Sequence, residues 1–189
     1  MANSTDRRIV ILQATLDLVA EHGLLNTPIS LIAKQAASSP GIIYHYFASK
    51  DDIVHSLYEV VLKHYTKAMM QANSPALDRL EWFKQLWLTT FHYFVAHPKY
   101  ASFMEQYKNS SYGQHRQSIE SDENLASLVQ VIQEDIKQGL IKDMPFDVIY
   151  ALTVGVAISL AKLQIAGVIQ LDEVMLAEIA EASCRTLQA

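Results

Sequence analysis

The sequence predicts an all-α protein, with three short helices at the N-terminus ahead of a larger helical part and about nine helices in all. Three observations lead there. Apolar residues recur at steps of three and four along most of the 189 residues, and strand-like alternation, internal repeats and low-complexity tracts are not found. Serine, threonine, aspartate and proline stand at the heads of successive periodic runs, where helices take their caps and first turns. Hydrophobic residues make up 50% of the chain and charged residues 19%, a balance that packs as a globule rather than staying disordered.

The first helix covers about residues 5 to 22: Ile9, Leu12, Leu16, Val19 and Ala20 share a side, and Gly23 is a natural stop. Thr27 and Pro28 read as an N-cap and a first-turn proline for a helix over about 28 to 35. Ser39 and Pro40 repeat that signal and open a third helix ending near Phe47, so two short helices flank a tight turn as in a helix-turn-helix. Ser49 caps a fourth helix, with Asp51 and Asp52 in its first turn, that runs to about Asn73.

Ser74 and Pro75 start a fifth helix that ends before Pro98. It carries Leu80, Phe83, Trp87, Phe91 and Phe94 on one side and Trp82, Leu86 and Tyr93 on another, so it belongs at the centre of a core. A helix over about 98 to 107 precedes the polar stretch KNSSYGQ, the segment most suited to move, and another ends near Gly139. Pro145 begins a long helix with Ile149, Leu152, Val156, Leu160 and Leu163 on one face and Ala151, Gly155 and Ser159 on another. Asp172 caps the last, with Leu176, Ile179, Ala180 and Leu187 on a side. The final two helices have enough apolar surface to pack internally or against a second copy of the chain.

Several classes are disfavoured. The single cysteine, Cys184, rules out an intrachain disulfide framework, fits a reducing compartment and reads as a small buried hydrophobe. The N-terminus lacks the apolar run of a signal peptide, and cytoplasm is the expected location. The uncharged run from Val148 to Ala161 is shorter than the roughly 18 to 20 residues that cross a bilayer, and reads as a buried helix. No H-E-x-x-H, paired C-x-x-C, P-loop or G-x-S-x-G motif suggests an enzyme, metal site or cofactor, and Glu134 and Asp135 read as solvated charges. Residues 1 to 50 hold four basic side chains against three acids, while the rest holds eleven against seventeen, so only the N-terminal part suits a polyanion.

The stretch SSPGIIYHYFASK, residues 38 to 50, concentrates three aromatic rings. On a helix from Pro40, Ile43 and Phe47 lie four apart and can pack inward, with Ile42 and Tyr46 flanking them, whereas Pro40, Gly41, Tyr44 and His45 project away. Gly41 allows close approach of a phosphate to backbone amides, and Tyr44, His45 and Lys50 supply donors. By this segment alone, Tyr44 and His45 either meet a partner or decorate a solvent face.

The run ISLIAKQAASSPGIIYHYFASKDDI, with RRIVILQATLDLVAEHG ahead of it, resembles the DNA-binding region of the TetR family of bacterial transcriptional regulators. Ile32, Ala33 and Ala36 before the turn match that pattern, as do Ser39, Gly41, Ile43, Tyr44, Tyr46, Phe47 and Lys50 after it. Ala37 and Ser38 stand where the family usually has glycine and valine, and Pro40 replaces a position more often basic or polar. The resemblance implies a helix-turn-helix domain over 1–48 and a ligand-binding and dimerisation domain over 49–189. It implies that the helix from Pro40 enters the major groove of a double-stranded operator, with Tyr44 and Lys50 on phosphates. Pro40, Ile42 and His45 would lie nearest base edges, Ser39 and Gly41 at the helix start, and Thr27, Ser30 and Lys34 beside the backbone. It also implies a homodimer through the last two helices and a pocket bounded by the fourth to eighth.

Independently, the aromatic residues Tyr58, Trp87, Phe91, Phe94, Phe103 and Tyr107 either line an apolar cavity or are ordinary core. The leading expectation is a dimeric DNA-binding regulator, a repressor released by a small hydrophobic ligand. The alternative is a helical carrier that sequesters such molecules without touching DNA, which the low basic count of the first fifty residues favours slightly.

Overall fold

The computed structural model describes residues 4–71, 78–114 and 122–189. The described residues form α1 (Ser4–His22), α2 (Ile29–Gln35), α3 (Pro40–Tyr46), α4 (Lys50–Gln71), α5 (Arg79–Ala96), α6 (Pro98–Lys108), a 3-10 turn (Ser111–Gln114), α7 (Glu123–Lys137), α8 (Phe146–Leu152), α9 (Val154–Ile165) and α10 (Glu173–Arg185). They contain no strand; an isolated antiparallel bridge joins Ile141 and Gln188. Since α8 and α9 are one helix broken at Thr153, the fold has the nine α-helices expected, counted over the described residues.

Local chemistry explains most boundaries. Ser39 caps α3 by accepting the Ile42 amide, and Ser49 caps α4 by accepting the Asp52 amide while the Asp52 carboxylate takes the Ala48 amide. Asp122 and Asp172 cap α7 and α10 in the same way. Two caps differ from expectation. The Thr27 hydroxyl donates to the Gly23 carbonyl at 2.8 Å, so α2 begins after Pro28 without a side-chain cap. The α5 cap is Asp78, which accepts the Glu81 amide; the expected start at Ser74 and Pro75 lies outside the described residues.

Packing divides the chain into two compact units, Met1–Leu62 with Lys99–Ser118, and Lys63–Pro98 with Ile119–Ala189. In the first unit, α1, α2, α3 and the beginning of α4 close around Ile11, Val19, Ile32, Ile43, Phe47 and Ile53. Burying each such side chain contributes about 1.5–3 kcal/mol. The α6 helix joins this core: Gln106 accepts the Leu24 amide at 2.7 Å and donates to the Val19 carbonyl at 3.1 Å, and Lys99 pairs with Asp17 at 2.6 Å.

In the second unit α5 is central, as its two apolar sides predict, with α9 and α10 packed against it and Trp82, Phe83, Leu86, Trp87, Phe91 and Phe94 all buried. The long apolar helix departs from expectation in two ways. It breaks at Thr153 (φ −118°, ψ −91°), whose hydroxyl donates to the Ile149 carbonyl; Gly155 follows, where a Cβ would stand 3.1 Å from the Tyr150 carbonyl. It is also not a buried helix. The inward stripe is Ile149, Thr153, Ala157 and Ala161, whereas Val148, Leu152, Leu163 and Ile165 are exposed. Residues 146–165 are long and apolar enough to cross a membrane by length and composition alone, yet α9 lies on α5 of a packed core.

Asp135 is the other correction: it is buried, not solvated, and its Oδ2 lies 2.9 Å from Nε of Arg79 at the start of α5. Burial raises its carboxyl above the ordinary range, opposed by the Arg79 charge.

Candidate nucleic-acid interface and ligand cavity

The first unit presents the inward pair and the outward Tyr44 and His45 of α3 as the sequence predicts, whereas Ile42, read from helix spacing as flanking the packed side, is exposed. Ile43 and Phe47 are sealed in the core, while Ser39, Pro40, Gly41, Ile42, Tyr44 and His45 are exposed, Tyr44 at 55% and Ile42 at 44%. A Cβ on Gly41 would meet nothing nearer than the Ser39 hydroxyl at 3.9 Å, so the fold does not demand glycine there. What glycine adds at that point is close access to the backbone from outside.

Ser30 and Lys34 are exposed on α2. Thr27 is not part of this surface, because it is fully buried with its hydroxyl committed to Gly23. Lys50 is half-buried and its ammonium donates to the Leu24 carbonyl at 2.9 Å, tying the start of α4 to the α1–α2 connection. That bond uses one of three donors.

Arg8 was missed by sequence reasoning and holds α3 in place. Its guanidinium donates to the Tyr46 carbonyl at 2.9 Å and the Ser56 hydroxyl at 2.8 Å, and lies over the Phe47 ring at 4.2 Å from the centroid. A planar fork of five donors can make these contacts at once, binding the end of α3 to α4. The only forewarning is that Arg8 is one of four basic residues in the first fifty and sits one step off the apolar stripe of α1.

The turn ahead of α3 ends α2 with two bonds, Ser38 amide to Ala33 carbonyl at 2.8 Å and Ala37 amide to Lys34 carbonyl at 3.2 Å. That geometry places Ala37 at φ +46°. The glycine the family usually has there is replaced, but the turn is kept.

The aromatics expected around a ligand separate. Tyr58, Phe103 and Tyr107 lie in the core of the first unit, where Tyr58 and Tyr107 stack at 4.0 Å between centroids and Tyr107 shares a 2.9 Å hydrogen bond with His55. Tyr112 donates to Asp51 at 2.7 Å. Burial pushes the Tyr107 and Tyr112 phenols up to about 12, so both keep their protons at neutral pH.

In the second unit a cavity of about 70 Å³ opens between the end of α4, α5, α7, α8 and the start of α9, with Trp87 in its wall. Phe91 and Phe94 are buried and do not line it. The wall residues missed from sequence, among them Tyr65, Met69, Leu128 and Ile132, come from helices brought together only by folding. Their apolar stripes were legible, but not their meeting place.

A short exposed helix set after a tight turn on a three-helix core defines a helix-turn-helix DNA-binding protein, of the kind that regulates transcription. Residues 11–57 match the family described as "Bacterial regulatory proteins, tetR family", and residues 80–188 match "Tetracyclin repressor-like, C-terminal domain". The chain belongs to the TetR family of transcriptional regulators.

It is 23% identical over 163 residues to an uncharacterized HTH-type transcriptional regulator of Haemophilus influenzae, spanning 83% of this chain and 82% of that one. To the fatty acid metabolism regulator protein of Bacillus subtilis it is 33% identical over 69 residues, 36% of each chain. Among solved structures, a TetR family regulator from Marinobacter aquaeolei superposes with a TM-score of 0.86 at 22% identity, over 96% of this chain and 95% of that one. The TetR-family regulator HI0893 from Haemophilus influenzae gives 0.83 at 24% identity over the whole of both chains.

Proposed function

We propose that this TetR-family regulator acts as a homodimer that represses transcription in the cytoplasm, without catalytic activity, and leaves its operator when a small hydrophobic molecule occupies the helical part of the chain. The observation that carries this reading is the division of α3: Ile43 and Phe47 anchor it, while Tyr44, His45, Ile42 and Pro40 are turned to solvent together.

Tyr44 supplies a phenol for phosphate and a ring for a thymine methyl, His45 and Ile42 reach base edges, and Ser39, Ser30, Lys34 and Lys50 hold the backbone. Gly41 lets the DNA come close. The role of residues 1–48 is DNA contact, and that of 49–189 is sensing and dimerisation. The exposed face of α8 and α9, bearing Val148, Leu152 and Leu163, with Val174 and Met175 of α10, supports pairing with a second copy. A ligand in the cavity shifts the dimer only by binding one of its conformations more tightly than the other.

The test is binding-site selection from random duplex DNA with the purified protein. A two-fold palindrome with half-sites about one helical turn apart is expected. Recovery of no common sequence, or of an asymmetric one, contradicts the reading.

A further inference from the structure

Base pairs in the major groove are told apart by their hydrogen-bonding edges and by the thymine methyl group. Arginine and lysine read guanine, asparagine and glutamine read adenine, and aspartate and glutamate accept from cytosine. None of these residues occurs from Ala36 to Ser49, a run that holds the turn, all of α3 and the link to α4.

The long polar side chains around that run are placed or committed elsewhere. Arg8 bonds Tyr46 and Ser56, Arg7 donates to the Ala36 carbonyl at 3.4 Å, and Lys50 donates to the Leu24 carbonyl. Lys34 and Gln35 are exposed but stand on α2, the helix that crosses the DNA backbone in this motif. Ser39 accepts the Ile42 amide as the cap of α3.

What α3 offers instead is mostly hydrocarbon. With Ile43 and Phe47 inward and about 3.6 residues per turn, Gly41 and His45 form the middle of the outward side. Ile42 stands on one flank of that middle, and Pro40 with Tyr44 on the other. Gly41 has no side chain to hold the helix away from the groove floor. Only His45 brings ring nitrogens to this side, and its ring meets that of Tyr46 edge-on at 5.2 Å between centroids.

We propose that each operator half-site is read through thymine methyl groups, covered by Ile42 on one flank of α3 and by Pro40 and the Tyr44 ring on the other, with hydrogen bonds to base edges secondary. This rests on the reading of α3 as the helix that enters the groove, and names what it recognises there. An aliphatic side chain against a thymine methyl gains buried apolar area. Cytosine in the same place has no methyl and turns an amino group towards Ile42, which has no acceptor to give it.

The test replaces thymine by deoxyuridine in the palindrome recovered by selection, one position at a time, and measures affinity by fluorescence anisotropy. Uracil keeps the O4 acceptor and the base pairing and loses only the methyl group. Removing a covered methyl should weaken binding about fourfold, and about fifteenfold when the matching thymines of both half-sites are replaced together. Ile42→Ala should weaken binding to the thymine operator about fourfold or more and abolish the uracil penalty at the thymine Ile42 covers. His45→Ala should leave every uracil penalty in place. The uracil series uses the unaltered protein and does not depend on how any variant folds.

Equal affinity for thymine and uracil at every position overturns the inference and leaves α3 as the reading helix, since the palindrome has been recovered. A palindrome whose fixed positions are all G·C pairs does the same. A uracil penalty that Ile42→Ala leaves intact at every position, or that His45→Ala abolishes, overturns the assignment to the hydrocarbon side chains. Recovery of no common sequence overturns both the inference and the reading beneath it.

Discussion

Ala37 occupies the left-handed region at φ +46°, where an L-residue with a Cβ pays about 1–2 kcal/mol. Glycine relieves that strain but loses more backbone freedom on folding, so Ala37→Gly should stabilise the protein by about 0.5–1 kcal/mol. Urea denaturation measures this, and a destabilised variant would show that the turn does not depend on the left-handed residue. Cys184 is buried in α10, and burial pushes its thiol up to about 12. It should therefore be inert to a thiol reagent in the native protein and react once unfolded, as a colorimetric time course at neutral pH will report. The exposure of Tyr44 and the inward turn of Ile43 and Phe47 were readable from spacing alone. The engagement of Thr27 and Lys50 was not, because a threonine ahead of a proline and a lysine at a helix start look the same in sequence whether they bond inward or face solvent.

Elements were legible where the signal is local. Ser39, Ser49 and Asp172 each cap the helix that follows, so the starts of α3, α4 and α10 came from sequence nearly unchanged, whereas for α7, capped by Asp122, only the end near Gly139 did. The break between α8 and α9 was missed because its apolar periodicity continues across Thr153; the threonine and glycine two apart inside that run were the available hint. The association of α6 with the first unit was also missed, since Gln106 and Tyr107 reach partners more than fifty residues away. The Arg79–Asp135 pair joins the head of α5 to α7, and removing Arg79 strands a buried carboxylate. Arg79→Met should cost about 2–3 kcal/mol, at the lower end for a buried pair because Arg79 is 40% exposed. The raised Asp135 carboxyl means that the folded state favours the protonated form. Its contribution is fully present below the ordinary carboxylate range and is lost as pH rises through the raised value. Asp135→Asn should flatten the stability profile over that interval, and thermal melts across about pH 4 to 7 will show whether it does.

For the whole molecule, the all-α class and family were legible because the first fifty residues carry a spaced motif. The position of the cavity was not, because five helices contribute to it and sequence order does not say which stripes converge. An apolar face bearing Val148, Leu152 and Leu163 is unexplained in a single chain. If the proposed dimer forms through this face, Leu163→Glu should leave a monomer with little change in helix content, as light scattering with circular dichroism measures; a variant that stays dimeric would move the interface elsewhere. The proposed function depends on α3 reading DNA through its solvent-facing side. Fluorescence anisotropy on the selected palindrome, comparing the native protein with Tyr44→Ala, tests it most directly. Operator affinity should be weaker by tenfold or more, on the order of 1.4 kcal/mol, with the melting temperature and oligomeric state unchanged. Equal affinity for the two proteins would contradict it.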